Sequence, residues 1–178
     1  MADRKMLIAV DLQKDFVDGA LGTKEARDII PAAAKRIREW REAGADIYAT
    51  LDTHDDNYMQ TREGARLPVP HCIRNTEGWQ LNPEIRDAVG DGRTLEKPTF
   101  GSVRLPEILR EETDADAPLR IELIGLCTDI CVVSNALLLK ANCPEADIAV
   151  NAGCCARVTP EKHRAALETM RSCQIEIL

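Results

Sequence analysis

The chain has 178 residues, 44% hydrophobic and 30% charged, the proportions of an ordinary globule long enough for one domain, spanning 1–178, with a sizeable core. Its formal charge is -7 and its pI ≈ 5.1, with the basic residues scattered, which argues against a nucleic-acid-binding surface. No apolar run reaches membrane length, the start from Met1 leads into a strand without a leader pattern, and seven cysteines, an odd number mostly in apolar segments, fit free thiols in a reducing cytoplasmic setting.

In chain order, the apolar run 6–10 reads as a buried parallel strand ending at Asp11, followed by a polar loop to Gly22. Residues 25–43 predict a helix stopped by Gly44, with Pro31 tolerated if the helix starts near Ile30. A second strand covers 45–51 and ends at Asp52. Residues 52–78 hold prolines, glycines and two histidines, and read as a long functional loop region. A short helix over 82–89 precedes a strand at 94–97 stopped by Pro98. Ser102 is placed to cap a helix reaching Glu112, and 113–118 reads as a solvated linker.

Residues 119–124 alternate with a β-branched bias and predict a strand that turns through Gly125 into a buried helix. Thr128 is the expected cap, which puts Cys131 in the first turn, where free N–H groups and the helix dipole favour a thiolate. A strand at 147–150, a helix at 160–170 capped by Thr159 with Pro160 first, and a strand at 175–178 complete the pattern. Strands alternating with helices imply an α/β fold: a doubly wound, mostly parallel six-stranded sheet with helices on both faces.

Such sheets place ligands at the carboxyl ends of their strands, where strand order reverses. Asp11, Lys97 and Cys131 all stand at or just beyond such ends. An attacking thiol needs a base and a cation beside the developing charge, so Cys131 is the candidate nucleophile, Asp11 the base and Lys97 the electrostatic partner. Each has a plainer reading: a buried inert thiol, a turn cap, a solvated lysine.

After the second strand, the extended Asp52-Thr53-His54 sends its first and third side chains the same way, which suits one divalent ion, and His71 completes a three-ligand set. Mixed nitrogen and oxygen donors suit zinc first, with iron and manganese as alternatives. Surface histidines are the plainer reading here. His163 remains as an exposed or helix-packing residue. Cys72 is a second-ranked ligand beside His71.

Taken together, the stretches Ala9-Val10-Asp11-Leu12-Gln13-Lys14-Asp15-Phe16, Asp52-x-His54 with His71, Lys97-Pro98-Thr99-Phe100 and Gly125-Leu126-Cys127-Thr128-Asp129-Ile130-Cys131-Val132 resemble the isochorismatase-like cysteine hydrolases, and more narrowly their nicotinamidase (pyrazinamidase) branch. The resemblance implies that Cys131 attacks an amide carbonyl, Asp11 carries the thiol proton to departing ammonia, and Lys97 holds their charge states. It also implies an oxyanion hole from the backbone N–H groups of Cys127 and Cys131, a cis peptide between Leu126 and Cys127, and a metal on Asp52, His54 and His71 that orients a small amide substrate.

The chain departs from that pattern in two places. Pro68 stands where the branch carries an aromatic wall, and Lys14 replaces the usual asparagine. With 3% aromatic residues, the candidates for contacting a flat ring are Phe16, Phe100, Tyr58 and Trp79. An isochorismatase proper works without the cysteine, a silent binding protein would have lost part of the set, and N-carbamoyl or ureido amides are the alternative substrates. A redox or metal pair of Cys127 and Cys131 lacks the Cys-x-x-Cys spacing. The fold often assembles into homo-oligomers, and 55–80 is available for a partner.

Overall fold

The computed structural model describes residues 4–112, 118–157 and 159–178. Six strands form one sheet: β1 (Arg4–Val10), β2 (Asp46–Asp52), β3 (Arg93–Lys97), β4 (Leu119–Gly125), β5 (Asp147–Cys155) and β6 (Glu176–Ile177), in the order β3-β2-β1-β4-β5-β6. Every pairing between these strands is parallel. The order runs one way from β1 and the other way from β4, so the crevice between their carboxyl ends is where a ligand is expected.

Alternation along β1 divides the core. Leu7 and Ala9 face one hydrophobic cluster with Ile30, Ala33 and Ile37 of helix α2 (Lys24–Glu42) and Ile85 of α4 (Pro83–Val89). Met6, Ile8 and Val10 face the other, with Leu105 and Leu109 of α5 (Arg104–Glu112), Leu139 of α6 (Val133–Asn142) and Met170 of α7 (Pro160–Ser172). Apolar side chains on both faces of one strand require cover on both sides, which is why the helices are split between them. The one carboxylate fully buried inside β4, Glu122, is held by Arg36 of α2 at 2.6 and 2.7 Å.

The sheet, its six strands and its two layers of helix follow the sequence expectation, with differences that have local causes. Helix α2 begins at Lys24, capped by Thr23, so Ile29, Ile30 and Pro31 lie inside it. Pro31 sits on the exposed face, where water can take up the carbonyl that loses its helical partner. The loop after β1 contains a one-turn helix, α1 (Lys14–Val17), and 52–78 contains a 3-10 turn at Tyr58–Gln60 and helix α3 (Arg62–Arg66). Strand β5 runs on to Cys155 because its register against β4 shifts between Leu123 and Gly125. Helix α5 starts two residues after Ser102, whose N–H donates to Asn135 Oδ1 at 2.8 Å. The linker expected at 113–118 falls, apart from Pro118, outside the described residues, as do residues 1–3.

Thr128 is not a helix cap. Residues Thr128–Val132 form a π-helical turn ahead of α6, with no side-chain cap. The Thr128 hydroxyl donates to the Ala156 carbonyl at 2.8 Å and meets His163 Nδ1 at 2.9 Å, so a tertiary partner replaces the local one.

Gly125 makes the turn possible. Its φ of 125° lies where side chains are rarely accepted, and an added Cβ would stand 2.1 Å from the Val10 carbonyl oxygen. Gly125→Ala is therefore expected to lower stability by about 3 kcal/mol or more, the sum of backbone strain and overpacking, read by chemical denaturation. A loss below about 1 kcal/mol would show that β1 and β4 do not approach this closely at their carboxyl ends.

Candidate functional site

Asp11, the first residue past β1, has φ 49°, and its Oδ1 accepts from Thr50 Oγ1 of β2 at 2.6 Å. Lys97, the last residue of β3, lies beside Asp52 in the sheet register. Its Nζ reaches back over the sheet end to Asp11 Oδ2 at 2.7 Å, Asp52 Oδ1 at 3.5 Å and Cys131 Sγ at 3.5 Å, and it donates to the Thr99 carbonyl at 3.1 Å. Side chains from three strand ends thus meet, with Asp11 and Lys97 almost wholly buried and Cys131 5% exposed. Asp11 Oδ2 has this ionic contact but no directed hydrogen bond, so a lone pair is open to a proton.

Burial sets the charge states. Desolvation disfavours Lys97's charge, but Asp11, Cys131 and Asp52 outweigh it and hold the ammonium well above its ordinary range. Asp11 is pushed up by burial, against the pull of Lys97. The Cys131 thiol is also pushed up, by burial first and by Asp11 second, with Lys97 opposing. The helix end favours a thiolate at Cys131, and burial works in the opposite direction.

The second cluster adjoins the first through Asp52. His54 pairs with Ile73 as a bridge, with His54 N–H donating to the Cys72 carbonyl at 3.0 Å, and this carries His71 alongside. Asp52 Oδ2 is 3.0 Å from His54 Nε2 and 3.5 Å from His71 Nε2. Among the described residues these three present ligand atoms within 4.8 Å of one another and form a metal-binding triad; Cys72 is not in it. Metal–ligand bonds of about 2.0–2.2 Å put donors roughly 3–4 Å apart, so the set fits one divalent ion. His71 Nδ1 is engaged by the Val69 carbonyl at 2.8 Å, leaving Nε2 as the ligand atom. Burial works against the Asp52 carboxylate, but hydrogen bonds from His54 and His71 and the charge of Lys97 hold it below the usual range.

Several residues in or beside the site escaped the sequence reading. Buried Gln13 accepts from the Asp52 N–H at 2.7 Å and donates to the Asp52 carbonyl at 2.9 Å, fixing the ligand's backbone from both sides. Glu63 of α3 places Oε1 3.8 Å from His54 Nε2 and 3.9 Å from His71 Nε2, and burial raises its carboxyl. Asn135 donates to the Cys131 carbonyl at 2.8 Å and the Phe100 carbonyl at 3.3 Å, tying the π-helical turn to the loop after β3. A polar residue inside a loop or an apolar helix carries no sequence signal for such contacts; only the fold supplies their partners.

A pocket of about 660 Å³ opens onto both clusters, lined by Asp52, Cys127, Cys131 and, on its walls, Phe16, Leu67 and Phe100. Pro68 is not among the lining residues; Leu67 lines the pocket in its place. Tyr58 and Trp79 do not line it either. Tyr58 packs its ring against His54 and His71, at 4.7 and 5.0 Å between centroids, and Trp79 Nε1 donates to Thr53 Oγ1 at 2.8 Å. The peptide between Leu126 and Cys127 is cis. Burial pushes the Cys127 thiol up to about 12. His163 is half-buried against Thr128, and burial lowers its pKa. Among the described residues all seven cysteines are free, and no helix is long and apolar enough to cross a membrane.

Residues 5–178 match the sequence profile of the isochorismatase domain. An uncharacterized isochorismatase family protein of Bacillus subtilis (strain 168), PncA, is 31% identical over 146 residues, 75% of this chain and 77% of that protein. Among solved structures, the pyrazinamidase of Pyrococcus horikoshii in complex with zinc is similar with a TM-score of 0.84 and 30% identity, covering 98% of each chain. The nicotinamidase PncA of Bacillus subtilis gives 0.84 and 27% over 98% of each chain. The pyrazinamidase/nicotinamidase of Streptococcus mutans gives 0.85 and 26%, over 98% of this chain and 99% of that one.

The triad and its support generate one expectation. Purified protein should hold close to one equivalent of a divalent metal by elemental analysis, and a His54→Ala, His71→Ala double variant should hold none. Gln13→Ala should weaken metal affinity roughly 10–100-fold by releasing the Asp52 backbone. Undiminished metal in the double variant would place the ion elsewhere.

Proposed function

The chain belongs to the isochorismatase family, and from that premise we propose that it is a cysteine-dependent amide hydrolase of the nicotinamidase type. The observation that carries this reading is the contact of one buried ammonium, Lys97 Nζ, with both Asp11 Oδ2 and Cys131 Sγ beside a pocket. One cation thus touches both the proposed base and the proposed nucleophile.

In the proposed reaction, the Cys131 sulfur attacks the amide carbonyl carbon while its proton passes to Asp11 Oδ2, the oxygen without a directed hydrogen bond. The carbonyl oxygen turns toward the backbone N–H groups of Cys127 and Cys131 as it gains charge. Collapse breaks the carbon–nitrogen bond, and Asp11 returns the proton to the leaving nitrogen, which departs as ammonia and leaves a thioester on Cys131. A water molecule, deprotonated by Asp11, then attacks the thioester. The carboxylic acid leaves and the sulfur recovers its proton. Lys97 stays charged throughout, and its positive charge works against the upward push of burial on both the thiol and the carboxyl.

A divalent metal on Asp52, His54 and His71, zinc first by analogy with the Pyrococcus horikoshii protein, would supply an open coordination position for a substrate heteroatom. The relatives' names point to small ring amides, nicotinamide and pyrazinamide, as the first substrates to test. Phe16 and Phe100 supply aromatic wall, but Leu67 offers no aromatic ring. A lost aromatic contact costs roughly 1 kcal/mol, so nicotinamide should turn over with a weaker KM than a fully walled pocket would give. Seven free thiols fit a reducing compartment such as the cytoplasm.

Cys131→Ala should reduce ammonia release from nicotinamide or pyrazinamide roughly a thousandfold or more, and Asp11→Asn by about 10²–10⁴-fold. Wild-type protein quenched during turnover should carry the acyl group on Cys131 by mass spectrometry. Hydrolysis at wild-type rates by the Cys131→Ala protein would end the thioester mechanism. Because Asp11 acts unprotonated and burial raises its pKa, the acid limb of kcat/KM should fall above the ordinary carboxylate range of about 3.9.

A further inference from the structure

Three guanidinium groups line the pocket: Arg62 and Arg66 of α3, and Arg157 just past β5. None has a carboxylate within ion-pair distance among the described residues, whereas most other arginines in the chain are paired. Arg62 and Arg66 are four residues apart, so like charges share one side of a five-residue helix, an arrangement that opposes its formation. Arg157 is half-buried, and its Nε is shut off from solvent with no hydrogen-bond partner. Arg157 and Asp129 act in opposite senses on His163, and Asp129, whose Oδ1 is likewise buried without a hydrogen-bond partner, forms no ion pair with Arg157 among the described residues. A buried donor left without an acceptor is a cost that the fold itself does not recover.

The anionic groups on the pocket wall do not offset these charges. Asp52 belongs to the metal triad, and Glu63 points at the same two imidazoles. Asp11 is taken up by Lys97. A divalent ion on the triad would leave the pocket more positive still. A chain of formal charge -7 therefore keeps three unpaired cations around one cavity, a field that attracts and orients an anion. The cavity, at about 660 Å³, also has room beyond a single-ring amide.

Resting on the amide-hydrolase reading, we propose that the substrate carries a carboxylate remote from the scissile amide, bound by Arg157 with Arg62 and Arg66 at the pocket wall: a small amide or carbamoyl compound that is itself an anion. Arg157 supplies a planar guanidinium fork that matches a carboxylate. The thiol then meets the amide at the other end of the molecule.

The test uses matched pairs that differ only in the carboxylate: nicotinamide against 5-carbamoylnicotinate, and butyramide against succinamate. Ammonia release is measured for wild-type, Arg157→Gln and Arg62→Gln/Arg66→Gln proteins. Binding of each amide to the Cys131→Ala protein is measured by calorimetry at low and at 1 M salt. The anionic member is expected to lead by roughly tenfold or more in kcat/KM and in affinity. The lead should shrink in high salt and close in Arg157→Gln, the loss appearing as raised KM for the anion. Equal or tighter binding of the neutral member would overturn the proposal, as would a lead that survives Arg157→Gln and the double variant alike. Ammonia from no amide, with the binding gap intact, would sink the hydrolase reading and leave the anion site standing.

Discussion

The buried ammonium of Lys97 is the constraint on which the rest of the site depends. Only 1% of its side chain is exposed, and it touches two carboxylates, a carbonyl and a thiol. An isolated charge at that depth would be lost to desolvation; it persists because Asp11 and Asp52 surround it. The dependence is mutual. Without Lys97 the two carboxylates would repel in a low-dielectric setting, and one of them would take up a proton. Whichever carboxylate took that proton would lose its charge, and a protonated Asp52 would be a poorer ligand.

The topology makes that contact available. Lys97 ends β3, two strands from β1, a gap of roughly two interstrand spacings of about 4.8 Å. A short side chain could not cross the end of β2 to reach Asp11. Lysine's flexible four-carbon stem can, and on the way it passes Asp52, its register partner. Thr50 on the intervening strand fixes the other oxygen of Asp11, so Oδ2 is the atom left facing Lys97 and the thiol. The close approach of β1 and β4, enforced at Gly125, brings the Cys131 turn over the same point. Three strand ends and one tight turn therefore determine four side chains, and none of the four can shift without breaking a contact to another.

The run of β1 was legible as an unbroken apolar segment buried on both faces and that of β4 by its alternation, and the candidate site followed from where such segments stop. Asp11, Asp52 and Lys97 are strand-end residues, and their meeting is a property of the topology. What could not be read depended on partners far away in sequence. Thr128 looks like a cap because its hydroxyl can serve nearby N–H groups, yet the Ala156 carbonyl claims it. Gln13 looks like loop filler until the Asp52 backbone is seen against it. At Cys131 two influences oppose each other: the helix end, readable locally, favours a thiolate, while burial to 5% exposure is a tertiary fact that pushes the thiol up.

The two parts of the pocket are built under different rules. Asp11 and Lys97 stand at strand ends, where a one-residue change of register would turn each side chain to the opposite face, and Cys131 sits in the π-helical turn that follows β4. The residues that would recognise the remainder of a substrate come from connections: α3 with Arg62, Glu63 and Arg66, the loop after β3 with Phe100, and Arg157 beyond β5. Those segments carry little of the core; Arg62 and Arg66 are exposed, and Phe100 is 47% exposed. A substitution there changes what the pocket holds at small cost to folding, whereas a substitution at the strand ends strands a buried charge. The buried strand-end cluster is thus held by the elements that stability protects, and the outer pocket wall is left to those it does not.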